Sequence, residues 1–136
     1  MAEAVVGERL PERSFPLTRA DLVRYAGASG DLNPIHWSDR EAREAGLPGV
    51  IAHGMLTFGL AVRAVTDWAG GAAFVTGCRA RFRRPVVVPD GGAVTVTVGG
   101  VVTGRAEDGT VTVELEATCD GEKVLAAAKV QVHFAR

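Results

Sequence analysis

The second half of the chain alternates apolar and polar residues with a period of two, the side-chain period of a β-strand. Four segments rich in Val and Thr are therefore expected to be strands: Phe74–Arg84, Ala93–Val102, Thr110–Cys119 and Lys123–Phe134. The residues between them favour turns, with Pro85–Gly92 as a loop and Glu107–Gly109 and Asp120–Gly121 as hairpin signals. A shorter strand is expected near the start of the chain, at Glu12–Leu17.

The first half carries helix signals instead of alternation. Thr18 is expected to cap a short helix, with Asp21 as its capping-box partner and with Gly27 and Gly30 ending the helix. The segment after that helix contains Pro34, which removes an amide donor, so an irregular loop is expected there.

Two further helices are expected after this loop. Ser38 and Glu41 form a capping box for a short helix over Asp39–Ala45. The longest helix is expected over Ala52–Ala69, ended by Gly70. Its apolar residues surround most of its circumference, which is typical of a buried helix: Met55, Leu56, Leu60, Val62, Ala64, Val65 and Trp68.

This order of elements predicts an α+β fold with an antiparallel sheet. One strand, two short helices, one long apolar helix and then four strands are expected in turn. A single sheet and a single buried helix can both bury their apolar residues if the five-stranded sheet curls around the helix, as in the hot-dog fold. The length of 136 residues predicts one domain over residues 1–136.

Composition excludes several classes of function. A net charge of −1 gives no reason to expect a nucleic-acid or membrane partner. The first 13 residues contain no apolar signal-peptide segment, and His53, Arg63 and Asp67 interrupt the apolar stretch that follows Ile51, so a cytoplasmic protein is expected. Two isolated cysteines, at 78 and 119, lack the spacing of a zinc site and are expected to be buried reduced thiols.

Asp31 and His36 are the first candidates for chemistry. They lie five residues apart in a loop stiffened by Asn33-Pro34, and neither falls on a helical or strand face. A histidine suits proton transfer in both directions, and a carboxylate beside it could hold a water molecule from a second side. From spacing alone, a turn-forming Asp and an unrelated surface His are favoured over a catalytic pair. Asn33 either orients the pair through its side-chain amide or is simply a turn residue.

The pair His53-Gly54 lies at the expected start of the long helix. Backbone amides at a helix N-terminus point outward with partial positive charge and can polarise a carbonyl group. Gly54 either lets a ligand approach the backbone or permits close packing of helix and sheet. The side chain of His53 is interpreted as a buried histidine with satisfied hydrogen bonds.

Four arginines, at positions 79, 81, 83 and 84, form a basic strip on one expected strand. Such a strip can contact phosphates or an acidic partner, and a solvated outer face is the alternative.

The run from Tyr25 to Thr57 resembles the hydratase motif of MaoC-like proteins, which include the (R)-specific enoyl-CoA hydratases and the (3R)-hydroxyacyl-ACP dehydratases. The matching residues are Ser29-Gly30-Asp31, Asn33-Pro34-Ile35-His36 and Ile51-Ala52-His53-Gly54-Met55-Leu56-Thr57. Within the family, the single-domain length, Pro16–Arg19 and His36-Trp37 are similar to the B-type subunits of the mycobacterial dehydratases. After Phe82 the resemblance weakens to a hydrophobic pattern.

The resemblance implies a hydro-lyase that interconverts trans-2-enoyl and (3R)-hydroxyacyl thioesters of CoA or acyl carrier protein. Asp31 and His36 would be its catalytic pair, supported by Asn33, and the Gly54 amide would bind the thioester oxygen. The arginines at 79, 81, 83 and 84 would contact a phosphate or an acidic carrier. No cofactor or metal would be needed, since thioester conjugation already activates the alkene.

The resemblance also implies a dimer, either of two copies or of this chain with a related hot-dog chain. Two alternatives to the hydratase stay open at this point. One is a protein that binds acyl thioesters without chemistry, and the other is a hot-dog thioesterase.

Overall fold

The computed structural model describes residues 4–71 and 73–134. Its strands are β1 Arg9–Thr18, β2 Ala73–Phe82, β3 Ala93–Arg105, β4 Thr110–Cys119, β5 Glu122–Lys123 and β6 Leu125–Phe134. Its helices are α1 Arg19–Ser29, α2 Asp39–Glu44 and α3 Gly54–Ala69, with a 3-10 turn at Pro34–His36. The ends of the predicted domain, residues 1–3 and 135–136, lie outside the described residues.

The strands form one antiparallel sheet in the order β1-β3-β4-β6-β2, with β5 paired to the end of β4. Helix α3 contacts β1, β2, β3, β4 and β6, so the sheet wraps around it. The predicted α+β hot-dog fold is therefore confirmed. The strand count differs from the predicted five, because Val124 separates the two-residue β5 from β6. Strands β1 and β2 are the two edge strands of the sheet that the described residues form.

Alternation along the strands builds the core. In β3, Val94, Val96 and Val98 are buried, whereas Thr95 and Thr97 face away from the helix. Each buried valine contributes roughly 1.5 kcal/mol or more by leaving water. The buried residues form two clusters, and the partly buried Val62 and Leu115 pack against both.

Helix α3 is amphipathic rather than buried all round. Phe58, Ala61 and Val65 belong to its buried face, but Met55 is 59% exposed. The expectation of burial around most of the circumference was therefore wrong at Met55. The helix also begins two residues later than predicted, because the backbone N–H of Ala52 donates to the carbonyl of Val86 in an extended segment.

The two short helices α1 and α2 begin at the capping residues that the sequence predicted. Thr18 and Asp21 form the full predicted capping box. Helix α1 continues through Gly27 and ends at Gly30, whose φ of 77° is the left-handed conformation that glycine adopts readily. Gly27 was therefore wrongly predicted as a stop. Of the predicted Ser38–Glu41 capping box, the structure gives the half in which the Ser38 side chain accepts from the N–H of Glu41, and α2 ends one residue earlier than predicted, at Glu44.

The two cysteines differ in their exposure to solvent. Cys119 is buried as expected, but Cys78 is exposed on the edge strand β2, which contradicts its predicted burial. The last strand residue of β2 is Phe82, so Arg83 and Arg84 follow the strand instead of continuing it. None of the helices within residues 4–71 and 73–134 is long and apolar enough to cross a lipid bilayer.

Candidate active site

The loop between α1 and α2 is held by a chain of short-range hydrogen bonds. The Asp31 N–H donates to Ser29 Oγ at 3.1 Å, and the Asn33 N–H donates to Asp31 Oδ1 at 3.2 Å. The Ile35 N–H in turn donates to Asn33 Oδ1 at 3.3 Å, which caps the 3-10 turn that contains His36. Short polar side chains that bind the backbone two residues ahead thus replace regular structure in this loop.

His36 is buried and its ring is oriented by the backbone. Its Nδ1 lies 2.8 Å from the carbonyl oxygen of Ile51. Because a carbonyl only accepts, Nδ1 carries the proton and Nε2 carries the free lone pair of the neutral ring. The Ile51 N–H donates to the carbonyl of Ile35 at 3.2 Å, so the segment before α3 is tied to the 3-10 turn on both sides.

The free Nε2 of His36 faces Asp31. The distance from Nε2 to Asp31 Oδ2 is 3.9 Å, and the Asp31 side chain is 52% exposed while that of His36 is 8% exposed. This separation is too long for a direct hydrogen bond. A single water oxygen can lie about 2.8 Å from both atoms, which is ordinary hydrogen-bond length. The structure thus brings the two predicted residues together with room for one small oxygen between them.

His53 packs behind this pair. It is only 1% exposed, and its ring stacks on that of His36 with centroids 3.8 Å apart and an angle of 21°. Its Nε2 donates to the backbone carbonyl of Asp31 at 3.2 Å, whereas its Nδ1 is buried with no hydrogen-bond partner among the described residues. The Tyr25 ring lies 4.7 Å away. Burial lowers the pKa of His53, because the charged ring would lose its hydration. His53 is therefore buried as predicted, but only one of its two ring nitrogens forms a hydrogen bond within the described residues.

Asp31, His36 and His53 bring together side chains of the types that bind metal ions. Among the described residues, one donor atom from each lies within 4.8 Å of the others. The two imidazole rings, however, stack nearly parallel. Because nitrogen lone pairs lie in the ring planes, nearly parallel stacked rings do not direct them to one point, as the tetrahedral or octahedral geometry of common metal ions requires.

An apolar cleft of about 290 Å³ opens beside His36. Most of its wall is apolar and is formed by Ile51, Ala52, Phe82, Pro85, Val86, Val124 and Leu125. The buried polar residue Thr57 also lines the cleft. Gly54 also lines the cleft and is the first residue of α3, so its N–H has no acceptor within the helix. The Phe82 ring lies against Gly54, where any Cβ would be 3.0 Å from two ring carbons. Gly54 thus serves close packing, and its amide lies at the cleft that His36 faces.

The predicted arginine strip divides into two parts. Arg83 and Arg84 line the cleft, and Arg84 forms an ion pair of 2.8 Å with Glu122. Arg79 lies instead in a separate groove with Cys78 and Lys129, and Arg81 is exposed in β2. The strand ends at Phe82, so the four side chains do not share one strand face.

Sequence reasoning missed some of the residues around the pair. Phe82 was assigned only to strand alternation, although a large apolar residue at the end of an edge strand is itself an unusual signal. Tyr25 was mentioned as the start of the motif-bearing run and given no role at the site, and its ring lies against His53. For Asn33 two roles were left open, orienting the pair through its side-chain amide or serving as a turn residue. In the structure its backbone N–H binds Asp31 and its side-chain oxygen caps the turn.

Comparison with known proteins identifies the family. The model of the MaoC-like domain matches residues 2–119, and the chain belongs to that family. A solved MaoC-like dehydratase superimposes with a TM-score of 0.90 at 39% identity, covering 97% of this chain and 41% of that one. The (R)-hydratase PhaJ1 from Pseudomonas aeruginosa superimposes with a TM-score of 0.85 at 26% identity, covering 97% and 83%.

Two curated relatives match between about half and most of the chain. The 3-hydroxyacyl-thioester dehydratase Y of Mycobacterium tuberculosis is 40% identical over 83 residues, which cover 58% of this chain and 29% of that protein. The β subunit of 3-oxo-4,17-pregnadiene-20-carboxyl-CoA hydratase from the same organism is 32% identical over 111 residues, covering 82% of each chain. The chain thus spans about a third of the length of some curated relatives and most of the length of others.

Proposed function

We propose that this chain catalyses the reversible hydration of trans-2-enoyl thioesters to (3R)-hydroxyacyl thioesters. The observation that carries the proposal is the placement of His36 and Gly54 on one apolar cleft, with Asp31 Oδ2 3.9 Å from the free Nε2 of His36. The names of the relatives, which include 3-hydroxyacyl-thioester dehydratases and (R)-specific hydratases, support the same reaction class.

The geometry suits a water molecule held between the two side chains. In hydration, the water oxygen bonds to C3 of the enoyl group, and the C2–C3 π electrons shift toward the thioester carbonyl. The Asp31–His36 pair takes one proton from the water and a proton returns to C2, so that one water is added in total. Dehydration follows the same steps in reverse.

The thioester carbonyl would bind at the start of α3. Negative charge develops on the carbonyl oxygen as C3 is attacked, and the free Gly54 N–H at a helix N-terminus stabilises such charge. One donor of this kind typically contributes roughly 3 kcal/mol to lowering the barrier. The apolar wall of the cleft would hold the acyl chain, and Arg83 and Arg84 at its border would contact the phosphate or acidic carrier of the thioester.

The proposed assembly is a dimer of hot-dog chains. Strand β2 is an edge strand with the exposed aromatic residues Phe74 and Phe82, which a second sheet would cover. A relative with 82% mutual coverage is named as a β subunit, and the solved ChsH1-ChsH2 complex of Mycobacterium tuberculosis matches with a TM-score of 0.86 at 27% identity. These likenesses support a related hot-dog chain as the partner, with a homodimer as the alternative.

The closer relation to the B-type subunits of the mycobacterial dehydratases stays a prediction. It rests on the motif residues Pro16–Arg19 and His36-Trp37. The HadBC complex of Mycobacterium tuberculosis shares the fold, at a TM-score of 0.76 and 18% identity. We also propose that residues 1–136 form one domain that works in the cytoplasm. Two free thiols, Cys78 and Cys119, suit a reducing compartment.

The test is an enoyl-CoA hydration assay over increasing acyl length, starting at crotonyl-CoA, with the oligomeric state measured in parallel. The variants Asp31→Asn and His36→Ala are expected to lose roughly 100-fold to 10,000-fold in kcat while remaining folded. His133→Ala, a histidine on β6 outside the cleft, is the control and is expected to retain full activity.

Three outcomes would contradict the proposal. Full activity in both site variants would remove the pair from the reaction. Saturable binding without turnover at any acyl length would indicate a protein that only binds acyl thioesters. Release of free thiol without hydration would indicate a thioesterase.

A further inference from the structure

We infer that His53 is a positioning residue that holds both members of the Asp31–His36 pair through one neutral imidazole ring. The inference rests on the proposed function, because it assigns a role to the group directly behind the proposed catalytic pair. His53 does not line the cleft, so it is not placed to touch substrate.

The first contact fixes the plane of the His36 ring. Two constraints act on that ring, since the Ile51 carbonyl holds Nδ1 at 2.8 Å and the His53 ring covers one face at 3.8 Å. The hydrogen bond alone permits the ring to tilt about the Nδ1–oxygen direction. The stacked ring removes that freedom, so the Nε2 lone pair keeps its direction toward Asp31.

The second contact fixes the backbone of Asp31. The Nε2–H of His53 donates to the Asp31 carbonyl at 3.2 Å, across 22 residues of sequence. The other hydrogen bonds of Asp31 among the described residues span only two residues, to Ser29 Oγ and from the Asn33 N–H. His53 is therefore the side chain that ties the carboxylate-bearing residue to the start of α3.

These two contacts require a neutral His53. With Nε2–H donating to a carbonyl, a second proton would sit on Nδ1, which is buried without an acceptor among the described residues. The titratable groups that face the ring are Tyr25 from α1, Asp31 from the loop and His36 from the 3-10 turn. Burial lowers the pKa of His53, and a positive charge on His36 would lower it further. A neutral ring can therefore stay stacked on His36 while His36 carries a proton during turnover.

Two variants separate the contacts. His53→Phe keeps an aromatic ring over His36 but removes the donor to Asp31. His53→Gln keeps an amide N–H near the position of Nε2 but removes the stacked ring. His133→Gln is the matched control, since His133 lies outside the site and has its own aromatic neighbour, Phe74, at 5.3 Å.

The kinetic measurement is kcat, KM and the pH profile of kcat/KM for crotonyl-CoA hydration. Both His53 variants are expected to lose about 10-fold to 100-fold in kcat with KM changed by less than about 3-fold, because misorientation affects the reacting state more than binding. The acidic limb of the kcat/KM profile is expected to move in His53→Gln and to stay in place in His133→Gln.

The second measurement is nitrogen-15 NMR of the histidine rings, which needs no turnover. In the wild type, His53 is expected to stay in the neutral Nε2–H form as the pH falls through 6.5, the ordinary histidine value. The Nδ1–H signal of His36 is expected to be protected from exchange with water. In His53→Gln that signal is expected to broaden or disappear.

Unchanged kcat and pH profile in both folded variants would overturn the inference, as would a His36 Nδ1–H signal that persists in both. If His53→Phe does not fold, His53→Gln decides the question alone; if neither folds, His53 is a core residue and the inference fails. A wild-type protein without turnover would refute the proposed function. In that case the NMR measurement alone decides whether His53 holds the pair.

Discussion

The aromatic ring of Phe82 lies against the backbone of Gly54, so that a Cβ at residue 54 would be 3.0 Å from the ring carbons Cε1 and Cζ. Both residues line the cleft beside His36. Phe82 is 57% exposed at the end of an edge strand, so its ring can move away from an intruding methyl group. The contact therefore couples the start of α3 to the mouth of the cleft without making the core dependent on it.

Gly54→Ala is expected to fold but to hydrate enoyl thioesters poorly. The new methyl group displaces the Phe82 ring and stands where a thioester must approach the Gly54 N–H. Because that ring is exposed, we expect a loss of unfolding free energy within about 1 kcal/mol. We expect kcat/KM to fall at least about 10-fold. Urea denaturation and the crotonyl-CoA assay measure the two effects separately.

The double variant Gly54→Ala/Phe82→Ala separates packing from ligand approach. Removing the ring relieves the clash, so stability is expected to return to that of Phe82→Ala alone. Activity is expected to stay low, since the methyl group still covers the amide. Full recovery of activity in the double variant would show that Gly54 is needed only to accommodate Phe82.

Arg19 and Asp39 form a clamp behind the site, and its removal is expected to affect stability and activity together. The Arg19 guanidinium binds both carboxylate oxygens of Asp39 and the carbonyl of Val88. Asp39 Oδ1 also accepts from the N–H of Val50, which precedes the Ile51 carbonyl that orients His36. The pKa of Asp39 is held below its ordinary value chiefly by the hydrogen bond from Arg19.

Arg19→Gln is expected to lower the thermal unfolding midpoint by roughly 5 °C. The Val88 carbonyl and the Asp39 carboxylate both accept hydrogen bonds from Arg19, and the substitution removes these bonds. Its kcat is expected to fall as well. Arg13→Gln is the control, since the ion pair of Arg13 with Asp67, at 2.7 Å, lies on a more exposed part of the surface. Equal effects of the two substitutions would mean that the clamp is an ordinary surface ion pair.

The sequence predicted the features of the fold and site that depend on neighbouring residues better than those that depend on contacts between residues distant in sequence. The strands were placed by their two-residue alternation, and α1 and α2 by the caps Thr18 and Ser38, because these signals are local. The proximity of Asp31 and His36 was inferred from a family motif rather than from spacing. The stacking of His53 on His36 joins residues 17 apart through tertiary packing, and no local pattern encodes such a contact.

The same reasoning explains the errors. Ala52 looked helical because it is apolar and precedes a helix, but its backbone pairs with Val86 from a distant loop. Met55 looked buried for its hydrophobicity, yet its face of α3 lies outside the sheet of this chain. Ala52 was decided by a partner distant in sequence, and Met55 by the part of α3 that the sheet leaves uncovered; the local sequence encodes neither.

Ala127 offers a test of backbone strain. Its φ of 50° is in the left-handed region, where an alanine side chain is disfavoured, and it is exposed within a register irregularity between β6 and β2. Ala127→Gly is expected to raise the free energy of unfolding by about 0.5–1 kcal/mol, because relief of strain exceeds the entropy that glycine adds to the unfolded chain. Denaturant unfolding measures the change.

Ala128→Gly is the matched control for that substitution. Ala128 is buried and pairs with Leu115 of β4. A glycine there loses the packing of the methyl group and also adds conformational entropy to the unfolded chain. It is expected to destabilise the protein by about 1 kcal/mol. Destabilisation of similar size at both positions would show that residue 127 is not strained in solution.

The stability of the wild type is expected to fall as the pH decreases below about 6.5, the ordinary pKa of histidine. The pKa of His53 is lowered in the folded state, chiefly by burial, so the unfolded chain binds its proton at higher pH. Between the two pKa values the unfolded state carries more protons, and the free energy of unfolding therefore rises with pH. The contribution of His53 is fully present above pH 6.5 and is lost as the pH falls toward its folded pKa.

His53→Gln tests this effect, because it removes the buried imidazole while His133 on β6 is unchanged. Urea unfolding between about pH 5 and pH 8 is the measurement; the carboxylates with lowered pKa, such as Asp39, and the Cys119 thiol with raised pKa, titrate outside that window. As the pH falls, the free energy of unfolding of the wild type is expected to decrease relative to that of His53→Gln, by at most about 1.4 kcal/mol per pH unit. Parallel curves would mean that His53 binds its proton equally well in both states, which is incompatible with a buried neutral ring stacked on His36.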